Sequence, residues 1–176
     1  MAQTDSVLRL FYFRHMPKNS RILHPPAEGC DSSARRPSID TKRLGEIAEM
    51  AFILKATSLH LTPSRPYGER RPYDFLLECG ERVLKIQVKC VSVPRSFNAN
   101  SFSVNVVQHK HGGRAAYTSK DIDFLVAYVI PHDTFYVIPV DVLNQRKMIV
   151  VYPAGKKRSD GGLFENYREA WHYLSP

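Results

Sequence analysis

RPYDFLLECGERVLKIQVKC, residues 71–90, is the most legible stretch of this chain. Its β-branched and apolar residues group into two runs, Tyr73–Cys79 and Val83–Val93, around Gly80 and Glu81. The spacing predicts two strands joined by a tight turn. Residues two apart in a strand share a face. Lys85, Gln87 and Lys89 therefore project together, and Leu84, Ile86, Val88 and Cys90 project to the other side. One face reads as core, and the other carries two cations and an amide. Asp74 opens the first strand, so a short antiparallel pairing brings its carboxylate towards Gln87 and Lys89.

Upstream, Asp40 or Thr41 can cap a helix running from about Thr41 to Leu59. Leu44, Ile47, Ala48, Ala51 and Leu54 form one stripe. Phe52, Ile53 and Ala56 widen it, which predicts a helix covered on more than one side. Downstream, a third strand is expected at Phe102–Val107. A buried hairpin follows from IDFLVAYVI and TFYVIPV, residues 122–130 and 134–140. DVLNQR reads as one helical turn and KMIVVYP as another strand. Phe164, Tyr167, Ala170, Trp171 and Leu174 have helical spacing, which predicts a terminal helix over Leu163–Leu174. The order is helix, β-meander, helix, in an α/β or α+β layered domain. That domain spans residues 40–176. Residues 1–39, rich in Pro, Ser and Arg after a short apolar patch, read as a loosely ordered arm or an annexe packed on it.

With 176 residues, 43% hydrophobic and 24% charged, the chain has the composition of an ordinary globular domain. It has no apolar run near the roughly 20 residues of a membrane span and no secretory leader pattern. A cytoplasmic protein without membrane contact is expected. Cys30, Cys79 and Cys90 form no CxxC, so reduced structural cysteines are expected. There is no phosphate-binding glycine loop, no serine nucleophile elbow and no HExxH. The net charge of +8 suits a polyanionic partner, or simply a soluble basic protein.

The chemistry-bearing residues are oxygen donors beside a cation. Glu49 has Phe52 and Ile53 as helical neighbours, and a carboxylate among apolar groups is costly unless it is paired or binds a cation. Glu46 lies one turn earlier. Asp and Glu oxygens, a Gln carbonyl and an ammonium compose a site for a hard cation such as Mg²⁺, with Mn²⁺ as a substitute. Lys89 beside it can position a water or stabilise developing charge. From spacing alone, a D-x12-Q-x-K pattern is common by chance, and an exposed sheet face with ordinary charges is the readier explanation of Asp74, Gln87 and Lys89.

KRLGEIAE, then YDFLLE, then IQVK, in that order, resembles the PD-(D/E)XK nuclease superfamily. It is most similar to the branch with glutamine in the third position, which includes intron-encoded homing endonucleases. The resemblance continues through TSKDIDFLVAYVIPHDTFYVIPVDVL and FENYREAW, so it covers roughly Lys42 to the end. It implies a restriction-endonuclease-like core, with a central mixed sheet flanked by helices, and a metal-dependent endonuclease acting on double-stranded DNA. Asp74 would be the metal-binding aspartate, Gln87 the replacement for the usual acid, and Lys89 the motif lysine. Glu49, ahead of Glu46, would be the helix acid. Tyr73 stands where many members have proline. A neutral Gln87 carbonyl implies weaker metal binding and suits a one-metal site.

Arg65, Arg70 and Arg71 precede the Asp74 strand and are expected to line a DNA groove. Arg114, Tyr117 and Lys120 are expected to meet the DNA backbone. The HKH at 109–111 reads as surface, the basic loop at 156–158 as a phosphate contact or a solvated loop alike, and Asp123 as a cap or brace for the sheet. A homing enzyme, a structure-specific or repair nuclease, and a catalytically inactive nuclease-fold DNA-binding module all remain open, as do a homodimer and a homotetramer.

Overall fold

The computed structural model describes residues 40–68, 71–95, 99–110, 112–155 and 162–175. The predicted arm at 1–39, Cys30, Arg70, His111 and the basic loop at 156–158 lie outside the described residues.

The helix forms as its cap dictates. Asp40 Oδ1 accepts from the backbone N–H of Lys42 and Arg43, which would otherwise be unpaired at a helix start, and α1 runs over Thr41–Ser58. Its buried stripe is Ala48, Phe52 and Ala56 at four-residue spacing. Ile47, Met50, Ile53 and Leu54 are exposed, so the stripe read from the sequence is displaced around the helix.

After the edge strand β1 (Thr62–Ser64), β2 (Phe75–Cys79) and β3 (Arg82–Val91) make the predicted hairpin. Gly80 takes a φ of 59° at the turn, which a side chain would resist. The two-residue turn sets the register, with Cys79 opposite Arg82 and Phe75 opposite Ile86. The third predicted strand is divided into β4 (Phe102–Asn105) and β5 (Val107–Lys110), and β5 folds back on β6 (Gly113–Ala116). Next come β7 (Phe124–Val129), β8 (Thr134–Pro139), the single helical turn α2 (Val140–Leu143) and β9 (Met148–Val151), all near their predicted positions.

The central sheet has five strands in the order β1-β2-β3-β7-β8. It is mixed, as expected: β3 and β7 are parallel and the other pairs antiparallel. β3 therefore does not continue a meander, because the intervening chain crosses over before β7 pairs with it. Asp123 braces that junction through Oδ2, which accepts from the Lys85 N–H at 2.7 Å, and through its own N–H, which donates to the Lys85 carbonyl at 2.9 Å.

Both sheet faces are buried. On one, Phe52 of α1 packs with Phe75, Ile86, Val126, Phe135 and Trp171. On the other, Leu125, Ala127, Tyr136 and Ile138 pack under Phe102, Val104, Ile149 and Val151 of the antiparallel β4–β9 ribbon. The layers are helix, sheet and ribbon. Among the described residues no helix is long and apolar enough to cross a membrane. Cys79 is buried, Cys90 is half-buried, and both are free thiols.

The predicted terminal helix does not form. Glu165–Tyr167 and Trp171–Leu174 are separate 3₁₀ turns, and Glu169 between them has a φ of 51°. The reason lies in the edge strand β8, whose outward backbone groups need partners. The Phe135 N–H donates to Glu169 Oε1 at 2.7 Å, and the Phe135 carbonyl accepts from the Glu169 N–H at 2.8 Å. Phe164, Ala170, Trp171 and Leu174 are still buried, so the apolar spacing reported burial and not helix.

Candidate active site

Beyond Phe75 and Ile86 the hairpin ladder gains one more bond, from the Asp74 N–H to the Ile86 carbonyl at 2.9 Å. The chain then leaves β3 at Tyr73. The Val88 N–H donates instead to Asp74 Oδ2 at 2.9 Å, so the carboxylate serves where a strand carbonyl would have stood. Gln87, buried at 7% exposure, donates through Nε2 to the same Oδ2 and to the Val88 carbonyl. With Nε2 committed in this way, Oε1 is the atom of Gln87 with lone pairs to offer.

Lys89 follows on the Gln87 face. Its Nζ lies 5.9 Å from the centre of the Tyr117 ring, within reach of a cation–π attraction. Tyr117 is only 4% exposed, so it is a wall of the site and not the DNA-backbone contact its polar surroundings suggest. Burial, with Asp74 and Asp121 adding to it, pushes its phenol well above the usual range. The loop behind Tyr117 is knotted around Asp121. That carboxylate accepts from Gln108 Nε2, Lys110 Nζ, and both the N–H and hydroxyl of Thr118. Burial alone would raise the Asp121 carboxyl, but these donors outweigh it and hold it at about 2. Neither Tyr117 nor Asp121 carries a local sequence signal for this arrangement, which depends on where the β5–β6 hairpin folds back.

Glu49 reaches the same place from α1. A cleft of about 330 Å³ is lined by Glu49, Arg65, Pro66, Gly68, Arg71, Tyr73 and Asp74. Arg65 Nη2 pairs with Glu49 Oε2, and its guanidinium stands 5.5 Å from the centre of the Phe75 ring. Burial pushes the Asp74 carboxyl up to about 6. The Val88 N–H opposes that, Glu49 adds to it, and the Lys89 and Arg65 charges pull it back.

Glu49, Arg65, Arg71 and Asp74 thus meet in one cleft, with Gln87 bonded to Asp74 and Lys89 on the same strand face. Glu46 is exposed and does not line the cleft. Arg114 and Lys120 are exposed and lie outside the cleft lining. Arg114 stands opposite His109 in the β5–β6 hairpin, and the Lys120 carbonyl accepts from Lys85 Nζ at 3.0 Å.

Residues 39–174 match the family model of the PD-(D/E)XK endonucleases, which is most of the chain. The chain belongs to the PD-(D/E)XK endonuclease family. A solved structure titled as a bacterial homing endonuclease, I-Ssp6803I, is similar to it at 32% sequence identity and a TM-score of 0.63. That similarity covers 76% of this chain and 90% of the other. No curated protein sequence matches. The restriction-endonuclease-like core expected from the motif order is therefore the fold observed, and the family is one of endonucleases.

PD-(D/E)XK endonucleases are metal enzymes as a family, so the cleft can be tested for fit. Among the described residues no three His, Cys, Asp or Glu side chains form a metal-binding group. What gathers here is two carboxylates and one carboxamide, a set that fits one hard cation retaining several waters. The electrostatics agree: Glu49 makes it harder for Asp74 to ionise, a conflict that added positive charge relieves.

The Asp74 shift carries a stability prediction. Its ordinary value is 3.8 and its folded value about 6, so the folded chain holds this proton more tightly than the unfolded chain. The resulting stabilisation is complete below about pH 4 and is lost as pH rises through 6. In chelator, Asp74→Asn is expected to melt several degrees above wild type near pH 8 and at nearly the same temperature near pH 4. Melts at the two pH values check this, and equal melting temperatures near pH 8 would count against the strained carboxylate.

Proposed function

We propose that this PD-(D/E)XK family member is a divalent-metal-dependent endonuclease that hydrolyses phosphodiester bonds in double-stranded DNA. Mg²⁺ is the natural ion in this reading and Mn²⁺ a substitute. The observation that carries it is the convergence of Glu49 and Asp74 in a single cleft, with Gln87 hydrogen-bonded to Asp74 and Lys89 next on the same strand face.

Asp74, Glu49 and the Gln87 carbonyl would hold the ion, and when bound it would activate water and neutralise charge on the phosphate. Lys89 supplies a fixed ammonium to the oxygens on which negative charge grows in the transition state. Asp74 must be ionised to serve as a ligand, so a carboxyl at about 6 favours work at neutral pH and above. Arg71 lines the cleft, and Arg65, Arg114 and Lys120 are exposed, available to phosphates on either side. Arg70 belongs with them by position in the sequence. The +8 charge of the whole chain supports a polyanionic substrate.

The nuclease domain in this reading is residues 40–176, with 1–39 an appended arm. The likeness to I-Ssp6803I favours a homing-type enzyme over a repair nuclease. A long recognition site would then be spanned by a homodimer or homotetramer. The test is relaxation of supercoiled plasmid and cleavage of a mixed duplex library, with Mg²⁺ and with chelator. Mg²⁺-dependent cuts are expected. DNA binding without any cut, in either Mg²⁺ or Mn²⁺, would make the chain an inactive binding module.

A further inference from the structure

We infer that Arg65 is a resident counter-cation of the cleft, held by Glu49 until a divalent ion enters and then released to a substrate phosphate. This rests on the function proposed above and adds a device to it: one side chain through which metal and DNA binding are coupled.

The geometry gives Arg65 two anchors of unequal strength. Its guanidinium is paired with the Glu49 carboxylate and lies over the Phe75 ring. The Glu49 side chain is 28% exposed and the Arg65 side chain 60%. The carboxylate is the half-buried partner that needs a positive charge, and the guanidinium is the partner that can return to water at little cost. Arg65 also acts on Asp74, where its charge is one of those opposing the effect of Glu49. Without a metal, the arginine therefore supplies the positive charge that two neighbouring carboxylates require.

A divalent ion brought to Glu49 and Asp74 would repel the guanidinium and compete for the same oxygens. Arg65 then keeps only the aromatic contact, in the same cleft as Arg71 and Asp74. A guanidinium so placed presents a planar fork suited to two phosphate oxygens. Each ligand thus favours the other, and by linkage the coupling is the same in both directions.

A static role is the rival: Arg65 would only hold Glu49 in position. The two differ in sign for Arg65→Gln. If Arg65 is a counter-cation, its removal frees Glu49, and divalent binding tightens. If it is a positioning clamp, divalent binding weakens. The experiment uses the full chain and Ca²⁺, an oxygen-seeking ion. Calorimetry measures Ca²⁺ affinity without DNA, and anisotropy measures affinity for a labelled duplex in Ca²⁺ and in chelator. Arg65→Gln is expected to bind Ca²⁺ roughly 5- to 10-fold more tightly than wild type, and its gain in DNA affinity on adding Ca²⁺ should shrink by a similar factor. Arg65→Lys, which keeps the charge but not the fork, should restore the Ca²⁺ affinity and not the coupling.

Unchanged or weaker Ca²⁺ affinity in a folded Arg65→Gln would overturn the inference while leaving the nuclease reading intact. An equal loss of DNA affinity with and without Ca²⁺ would also overturn it, making Arg65 an ordinary phosphate contact. Wild type that binds no divalent ion at all would remove the proposed metal site, and with it both proposals.

Discussion

Lys89→Ala is expected to lower divalent-dependent DNA cleavage by about two to three orders of magnitude, with little change in duplex binding. Lys89 is half-buried on β3, two residues beyond Gln87, with its Nζ 5.9 Å from the centre of the Tyr117 ring. Its ammonium is held where it costs nothing to reorganise during reaction, so its removal falls on the transition state more than on the ground state. Burial of Tyr117 keeps water from that side of the charge, which raises the worth of the interaction above that of a surface lysine. Lys89 makes no ion pair among the described salt bridges, but its charge helps the Asp74 carboxyl to ionise, so the variant is compared with wild type at saturating metal. Single-turnover cleavage at saturating enzyme, beside anisotropy on the same duplex in Ca²⁺, separates the two effects. Full cleavage by the variant would remove Lys89 from the chemistry.

The largest effect on stability is expected at Phe52. It is 0% exposed, its ring centre lies 5.0 Å from that of Phe75 and 6.0 Å from that of Trp171, and it binds α1 to the sheet. Phe52→Ala is expected to cost about 3–5 kcal/mol, through lost burial and the cavity left behind. That lowers the melting temperature by roughly 10 °C or more in a chain of this length. The loss also reaches function, because Glu49 is carried by the turn of helix that Phe52 anchors. Leu54→Ala is the matched control: at 64% exposure it should stay within about 0.5 kcal/mol of wild type. Urea unfolding of both variants checks the contrast, and a costlier Leu54→Ala would mean that α1 buries its other stripe.

Those two residues show how far a helix pattern can be read. Leu44, Ile47, Ala48, Ala51 and Leu54 and the row Ala48, Phe52 and Ala56 both have helical spacing. Both are apolar, and periodicity alone does not rank them. The sheet below has room for a phenyl ring between Phe75 and Trp171, and that contact chooses the row. The terminal segment repeats the lesson. Its apolar residues are buried as their spacing implies, but the backbone needs of β8 pull it out of helical form.

Local features determined much of the site from sequence alone. Alternation along β3 separated Gln87 and Lys89 from the core, because neighbouring side chains in a strand must point to opposite faces. The two-residue turn at Gly80–Glu81 then brought Asp74 opposite Gln87, since a turn of fixed length leaves the hairpin no other register. Asp40 announced the start of α1 by its capping chemistry. The tertiary structure alone decided the rest: the parallel pairing of β3 with β7, the burial of Tyr117 against Lys89, and the pairing of Glu49 with Arg65 across the cleft. Each of these joins residues 16 or more apart in the chain through packing of whole elements. No turn length or strand alternation fixes such distances, and only the filling of the shared core does.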